Sequence, residues 1–281
     1  MIYQFDLTEL EFRLIQDLIQ ERFGIYLKDE KRSFIKMRLY PRAVTLGFES
    51  FREYFQFIKY GPENERELLR MISLLTNTET YFFREVPQLN AFRDYLLPEF
   101  REKKIARNEK RIRILSAGCS TGEEVYTLAM LTFDTGNFFW GWDVQIIGID
   151  INEMALETAR QGIYYERSFR MTDPEYREKF FSSNSGDFIT KENIKRMTSF
   201  VFGNITLPLS MRDFDLIFCR NVLIYFSEEK FKSAIHNFCN VLRPGGYLLL
   251  GHSETLTGMS DEFEIRRFPE TFVYKKKEYS I

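Results

Sequence analysis

Residues 111–133 read RIRILSAGCSTGEEVYTLAMLTF and carry the signal that decides the fold. Residues 111–117 first alternate and then run apolar, which is typical of a strand that becomes buried. Gly118 and Gly122 enclose a polar turn, and apolar residues then recur at helical spacing over residues 123–133. Glycines directly after the first strand of an α/β fold let the backbone approach a ligand closely. The stretch therefore predicts a strand, a ligand-binding turn and a helix.

The alternation of strands and helices continues along the sequence. Predicted strands cover residues 144–149, 200–202, 214–219 and 245–251, with one more at the sheet edge over residues 272–274, and predicted helices cover residues 153–161 and 230–242. This order predicts a doubly wound α/β sheet with helices on both faces. About forty residues, 162–199, break the rhythm with turn residues and short β-like pieces. We expect an inserted β-subdomain at about residues 165–199.

The first 75 residues show a helical pattern throughout. Thr8 is the predicted N-cap of a first helix, and Gly24 is predicted to end it. Three further helices are predicted over residues 28–46, 51–60 and 65–75. The apolar side of the second is predicted to carry Phe34, Ile35, Met37 and Leu39. The expected domains are thus a small all-helical N-terminal domain, residues 1–75, and an α/β domain, residues 76–281.

The amino-acid composition limits the cellular locations and the classes of partner that fit this protein. Lys plus Arg is 39 and Asp plus Glu is 41, so the net charge of −2 argues against a nucleic-acid partner. The acidic first residues do not fit a signal peptide, and the longest apolar helical run is far below the ~20 residues that span a bilayer. Three cysteines cannot pair completely, which favours a reducing, cytoplasmic setting. Two histidines and three scattered cysteines give no metal-ligand spacing, so no metal is expected.

The turn after the first strand favours a cationic ligand. It has neither the GxGxxG pattern of dinucleotide sites nor the lysine of a P-loop. Glu123 and Glu124 open the following helix, where a phosphate would need an uncontested positive dipole. S-adenosylmethionine (SAM) carries a sulfonium and an ammonium and no phosphate, so it fits this turn better than a dinucleotide does.

Polar residues at two other strand ends support a nucleoside site. Asp150 closes the second strand, where an acid accepts hydrogen bonds from ribose hydroxyls. It could instead cap the next helix, although Asn152 is better placed for that role. The fourth strand leads into Asn221 and Tyr225, which the switch-point rule places at the mouth of the site.

Five segments together resemble one family. They are TETYFFRE at residues 78–85, residues 116–124, GIDI at 148–151, FCRNVLIYF at 218–226, and residues 243–254 from RPGG to GHSE. In this order, over about residues 1–275, they resemble the CheR family of chemotaxis receptor (methyl-accepting protein) glutamate O-methyltransferases. The resemblance implies an α/β fold made of a small all-helical N-terminal domain plus a doubly wound, Rossmann-like SAM-dependent methyltransferase domain with an inserted β-subdomain.

The resemblance also implies a set of site residues. Those it places around SAM or its product S-adenosylhomocysteine are Thr78, Thr80, Arg84, Glu123, Asp150, Asn204, Ile205, Asn221 and Val222. Arg84 is expected to hold a carboxylate, either of the cofactor or of the substrate, and Tyr225 to orient the acceptor near the methyl group. Because the family often has Asn where this chain has Thr78, either Asn77 or Thr78 could make that contact.

The activity that the resemblance implies is methylation of glutamate side chains in the cytoplasmic domain of methyl-accepting chemoreceptors, which tunes chemosensory adaptation. The enzyme is expected to be a monomer that uses its helical domain to recognise the receptor. Whether the β-subdomain also holds a receptor C-terminal tail is left open. Residues 28–42 carry a local net charge of +4, which suits either a solvated helix face or a dock for an acidic receptor helix. Its cations are Lys28, Lys31, Arg32, Lys36, Arg38 and Arg42.

Two other functions compete with this one. A nucleic-acid or small-molecule methyltransferase would share the fold, but the fourth strand lacks an Asn-Pro-Pro-Tyr motif and the chain has no basic surplus. A module that only senses SAM would not need Arg84, Asp150, Asn221 and Tyr225 all to be present.

Overall fold

The computed structural model describes residues 5–135, 140–184, 186–256 and 258–278, with the side chain of Asn184 excepted. The chain begins with helices: α1 (Glu9–Phe23), a short 3₁₀ helix (Asp29–Lys31), α2 (Arg32–Thr45), α3 (Phe51–Tyr60) and α4 (Asn64–Leu75). Thr8 caps α1 through a reciprocal box with Glu11, and Gly24 ends it in the left-handed conformation. Both predictions for the ends of this helix are confirmed.

The four N-terminal helices bury a core of their own. Its fully buried side chains include Phe12, Ile15, Ile35, Leu39, Phe51, Tyr54 and Met71. The prediction that Met37 lies on the apolar side of α2 is wrong, because that side chain is 50% exposed. Ile35 and Leu39 are four residues apart and share a face, whereas Met37 is two residues from each and points away from it.

A seven-stranded sheet forms the centre of the second half. Its strands are β1 (Arg111–Ala117), β2 (Asp143–Asp150), β6 (Thr198–Phe202), β7 (Phe214–Cys219), β8 (Leu242–Leu250), β9 (Phe263–Phe268) and β10 (Thr271–Lys276), in the order β6-β2-β1-β7-β8-β10-β9. The first five in this order are parallel, and β10 and β9 add to them antiparallel. The predicted doubly wound sheet is confirmed.

The edge of the sheet differs from the prediction. Residues 272–274 were expected at the edge, but β10 lies between β8 and β9. Val273 and Tyr274 are buried, while the middle of β9 is exposed. The charged, solvated β9 is the true edge strand, as charged side chains suit an edge.

Helices cover both faces of the sheet: α7 (Glu123–Asp134), α8 (Glu153–Gln161) and α11 (Glu228–Val241), together with α5 (Val86–Ala91) and α6 (Leu97–Ala106), which a π-helical turn (Phe92–Leu96) joins. Helices α5 and α6 were not predicted from the sequence. Buried Phe92 and Leu96 of the π-helical turn and Leu97 of α6 pack into the same core as β1 and β7.

The predicted β-rich insertion is present after α8. Strands β3 (Ile163–Tyr164), β4 (Phe181–Asn184) and β5 (Asp187–Thr190) pair antiparallel in the order β3-β5-β4, with a 3₁₀ helix (Glu166–Phe169), α9 (Pro174–Phe180) and α10 (Glu192–Lys195) around them. The buried ring of Phe82 lies 4.8–5.1 Å from the rings of Tyr164, Phe169 and Phe181. The insertion thereby holds the segment before α5 against the sheet.

The helical half contacts the sheet through the linker between α1 and α2. Ile25 forms an isolated antiparallel bridge with Phe226, and the amide of Tyr26 donates to the carbonyl of Tyr225 at 2.8 Å. Asn152 donates from its side chain to Thr76 at 2.8 Å.

Within the described ranges, no helix has the length and apolar character needed to cross a bilayer.

A buried carboxylate fastens α2 to α4. Glu67 is 5% exposed and accepts hydrogen bonds from Arg42 at 2.9 and 2.6 Å and from the hydroxyl of Tyr54 at 2.8 Å. Burial, and then the charge of Glu67, raise the pKa of Tyr54. Arg42 is therefore a structural residue of the helical core and is not free to meet a partner.

Replacing Arg42 by alanine leaves the Glu67 carboxylate short of two charge-assisted hydrogen bonds. We expect the free energy of unfolding to fall by about 1.5–3 kcal/mol, measured by urea denaturation. Arg38→Ala on the same helix is the control, because Arg38 is exposed and contacts only the ring of Phe34 among the described residues. That variant should stay within about 0.5 kcal/mol of the wild type. Equal losses in both variants would contradict the structural role of Arg42.

Candidate cofactor and active site

A cleft of about 1200 Å³, part of it open to solvent, lies at the carboxyl ends of β1, β2 and β7. Strand β2 lies on one side of β1 and β7 lies on the other, so the strand order reverses direction at β1. This reversal is the switch point of the sheet, where α/β folds bind ligands. The α1–α2 linker and residues 76–81 form the opposite wall. Both halves of the chain therefore build the cleft.

The turn after β1 can exist only with glycine at two positions. Gly118 has φ = +78°, and a Cβ there would collide with a methyl group of Val222. Gly122 has φ = +91°, and a Cβ there would lie 2.8 Å from that of Ala159. The amide of Gly118 donates to the carbonyl of Ile149 at 2.8 Å, which ties the turn to β2. Neighbouring side chains therefore require glycine at both positions, and the close approach of a ligand to this backbone stays a prediction.

Asp150 lies in the cleft at the end of β2. Its carboxylate accepts from the amide of Ser120 at 2.7 Å and from that of Asn152 at 2.8 Å. Asn152 itself caps α8, so the N-cap role belongs to it. Burial raises the pKa of Asp150, and the backbone N–H groups oppose that shift. Two bonds leave acceptor capacity on this carboxylate for ligand hydroxyls.

The two glutamates that open α7 have different positions. Glu123 is buried and accepts from Thr121 at 2.6 Å and from Ser168, in the insertion, at 3.1 Å; burial raises its pKa. Glu124 is the one that lines the cleft. Successive helical residues point about 100° apart, so one of the pair faces the ligand and the other faces away. The structure thus does not bring Glu123 to the cleft, where the resemblance placed it.

The loop after β7 is held by a single carboxylate. Glu254 is 5% exposed and accepts the amide N–H groups of residues 221–224 at 2.7–3.3 Å and that of Gly251 at 2.7 Å. Asn221 takes a left-handed φ of +60° within this loop. Its buried Oδ1 has no hydrogen-bond partner among the described residues. An acceptor left open beside the cleft fits a ligand that carries a donor, such as an adenine amino group or an ammonium.

Arg84 reaches the cleft from the segment before α5. It is half-buried, and within the described chain its guanidinium makes one hydrogen bond, to the carbonyl of Glu79 at 3.2 Å. The guanidinium also lies 5.7 Å from the ring of Tyr81. Its remaining N–H groups are available to a carboxylate.

The other predicted residues also line the cleft: Thr78, Thr80, Asn204, Ile205, Asn221, Val222 and Tyr225. Asn77 lines it too and donates to the hydroxyl of Tyr225 at 3.4 Å, so the choice between Asn77 and Thr78 stays open. The side-chain oxygen of Asn204 accepts from Thr206 at 2.9 Å, which fixes the amide group.

Several lining or supporting residues were missed from the sequence. Arg220 and Glu254 lie inside the motifs that carry the family resemblance, and the charge of Arg220 between apolar residues is a usable signal. Glu124 indicates a cationic ligand in the sequence but is not among the residues that the resemblance places at the site. Phe23, Ile25 and Leu27 also line the cleft, and nothing local in the sequence indicates that helical-domain residues reach it. Among the residues that the structure describes, no group of three or more His, Cys, Asp or Glu side chains could hold a metal ion.

Comparison with known proteins agrees with this geometry. Residues 10–76 match the family model described as CheR methyltransferase, all-alpha domain, and residues 78–272 match CheR methyltransferase, SAM binding domain. The chain is 33% identical to chemotaxis protein methyltransferase 2 of Vibrio cholerae over 96% of this chain and 94% of the relative. It is 35% identical to the chemotaxis protein methyltransferase of Vibrio parahaemolyticus (96% and 98%) and to that of Borreliella burgdorferi (90% and 90%).

SAM fits the cleft: the acceptor capacity left on Asp150 suits ligand hydroxyls, and the free oxygen of Asn221 suits a donor such as an ammonium or an amino group. Asp150→Ala should weaken the binding of SAM and of S-adenosylhomocysteine by roughly 1–3 kcal/mol in isothermal titration, since ligand donors lose their partner. Asp143→Ala is the matched control, because Asp143 lies exposed at the far end of the same strand. NAD and ATP should not bind.

The raised pKa of Asp150 adds a pH signature to that measurement. Because it lies above the ordinary value of 3.8, acidification removes the charge of Asp150 sooner than that of an exposed aspartate. SAM affinity should therefore fall as the pH drops through this raised pKa, and Asp150→Asn should lack that limb. Unchanged affinity in both Asp150 variants would remove this residue from the site.

Proposed function

The chain belongs to the CheR methyltransferase family, and on that premise we propose that it methylates glutamate side chains of chemoreceptors. The products are methyl esters in the cytoplasmic domain of the receptor, and their number tunes chemosensory adaptation. The observation that carries the proposal is that Arg84 and Tyr225 line one cleft whose described lining residues include three acids, Glu79, Glu124 and Asp150, and no histidine or lysine. Such a site can hold and align a carboxylate but has little to deprotonate an amine or a hydroxyl.

SAM, when bound, supplies a methyl group already activated on a sulfonium. The protein then has to bring an acceptor oxygen into line. A glutamate side chain, with a reference pKa of about 4.3, is ionised at neutral pH, so no residue has to remove a proton. Arg84 can hold the acceptor carboxylate through its free N–H groups, and the partly exposed hydroxyl of Tyr225, beside Asn77, can orient it. Apolar Phe23, Ile25 and Leu27 exclude water from the charges that meet there.

The helical half is the proposed receptor-recognition domain, residues 1–75, and residues 76–281 are the proposed methyltransferase domain, in a cytoplasmic enzyme. Three of the six cations in residues 28–42 have intramolecular partners: Arg32 the carbonyl of Leu7, Lys36 the carboxylate of Asp6, and Arg42 that of Glu67. The exposed Lys28, Lys31 and Arg38 are left as a smaller basic surface for an acidic receptor helix.

The pH dependence of transfer tests the identity of the acceptor. We expect kcat/KM to rise through an acidic limb near the pKa of the acceptor and to stay flat over about pH 6–8, since no histidine titration contributes. Tyr225→Phe should lower the plateau without moving the limb. His252→Ala should leave the position of the limb unchanged, because His252 is not among the described residues that line the cleft. The measurement uses labelled SAM with membranes that hold candidate receptors.

The same assay contains the contradicting outcomes. Label on a glutamate ester is released by mild alkali, whereas label on an amine or ether is not. Alkali-stable label, or a limb near pH 7 that His252→Ala abolishes, would refute the carboxylate acceptor.

Charge reversal tests the docking surface. Arg38→Glu should slow receptor methylation and leave SAM affinity unchanged, and the wild-type rate should fall with added salt. Arg66→Glu is the control, because Arg66 is also an exposed cation and lies on α4, outside residues 28–42 in the sequence. A rate that is independent of salt, or equal slowing by both variants, would count against electrostatic docking at this surface.

A further inference from the structure

We infer that Arg220 is a positioning residue that holds Arg84 in place for the acceptor carboxylate. The inference rests on the role proposed for Arg84. Arg220 follows directly after β7, and its side chain is 3% exposed. Its guanidinium joins a carboxylate of α7 to the backbone that carries Arg84.

The segment around Arg84 is strained. Phe83 and Glu85, on either side of it, have φ values of +60° and +58°. The left-handed region is uncommon for residues other than glycine, asparagine and aspartate, and it is energetically unfavourable for Phe83 and Glu85. Two of them around a single arginine aim its side chain in one direction, and the surrounding structure has to hold them there.

Arg220 supplies the hold at Arg84 itself. Its Nη1 donates to the carbonyl of Arg84 at 2.9 Å and lies 3.8 Å from Oε2 of Glu85. The neighbouring contacts involve other groups of the segment: the amide of Phe83 donates to the hydroxyl of Thr127 at 3.2 Å, and Oε1 of Glu85 lies 3.1 Å from the ring of His252. The Arg84 guanidinium itself donates to the carbonyl of Glu79 at 3.2 Å. The central carbonyl therefore depends on Arg220.

Arg220 is in turn fixed by the sheet. Its Nε donates to Oε2 of Glu124 at 2.6 Å, and Oε1 of Glu124 accepts from the hydroxyl of Ser116, in β1, at 2.7 Å. The planar guanidinium meets both targets in one rigid fork, which a lysine cannot do. Buried ion pairs of this kind are weak sources of net stability, so positioning explains this pair better than stabilisation does.

The test is a double-mutant cycle on receptor methylation. Arg220→Lys should lower kcat/KM about 10- to 100-fold, as small misplacements of a binding group do. In an Arg84→Ala background the same substitution should have almost no further effect, because the group that it positions is gone. Arg243→Lys is the matched control: Arg243 is also paired, with Glu109 at 2.7 Å, but near the start of β8. It should leave the rate unchanged in both backgrounds.

Amide hydrogen exchange gives a readout that needs no activity. Exchange in the peptide covering residues 80–86 should quicken in Arg220→Lys, and in Glu124→Gln as a second variant, but not in Arg243→Lys. Additive losses in the cycle, or unchanged exchange in both variants, would overturn the inference. Wild-type protein that methylates no receptor would defeat the proposed function, while the exchange measurement would still decide whether Arg220 holds the segment.

Discussion

The carboxylate of Glu254 is the contact on which the acceptor side of the cleft depends. It gathers five backbone N–H groups from two loops that leave neighbouring parallel strands, β7 and β8. Buried donors without partners would each cost about 1–3 kcal/mol, so no other arrangement of these loops is comparably stable. The positions of Asn221, Val222 and Tyr225 follow from it, because all three lie on the loop that this carboxylate organises.

Other carboxylates around the cleft have a similar structural role. Asp150 accepts a hydrogen bond from the backbone of a neighbouring loop, and Glu124 and Glu85 each interact with Arg220. These acids therefore mainly hold other protein groups in place, and little of their hydrogen-bonding capacity is left for a bound ligand. What is left for chemistry is small: the spare acceptor capacity of Asp150, the open oxygen of Asn221, the guanidinium of Arg84 and the hydroxyl of Tyr225. A reaction that needs alignment more than proton transfer suits this distribution.

The sequence predicted those helices and strands whose ends and faces are set by residues within the element or next to it. Strands β1 and β7 and helices α3 and α8 agree with their predicted bounds, because alternation, caps and glycines mark them. The pairing of β10 inside β9 was not predictable in this way, since the partner of a strand is set by distant residues. Adjacent Glu123 and Glu124 look alike in sequence, and only the rotation of α7 against the insertion distinguishes them. Arg42 is likewise paired inside the helical domain rather than available at the surface, because it binds Glu67, which lies twenty-five residues away in the sequence.

The strip of chain between α1 and α2 runs along the cleft and is bonded to Tyr225 and Phe226. A molecule in the cleft therefore touches residues of both halves, and its free energy of binding is shared between them. By mass action, a saturating ligand stabilises only the state in which the halves are joined. Occupancy should therefore couple the two separately cored halves more strongly, and the midpoint of their thermal unfolding should rise with ligand concentration.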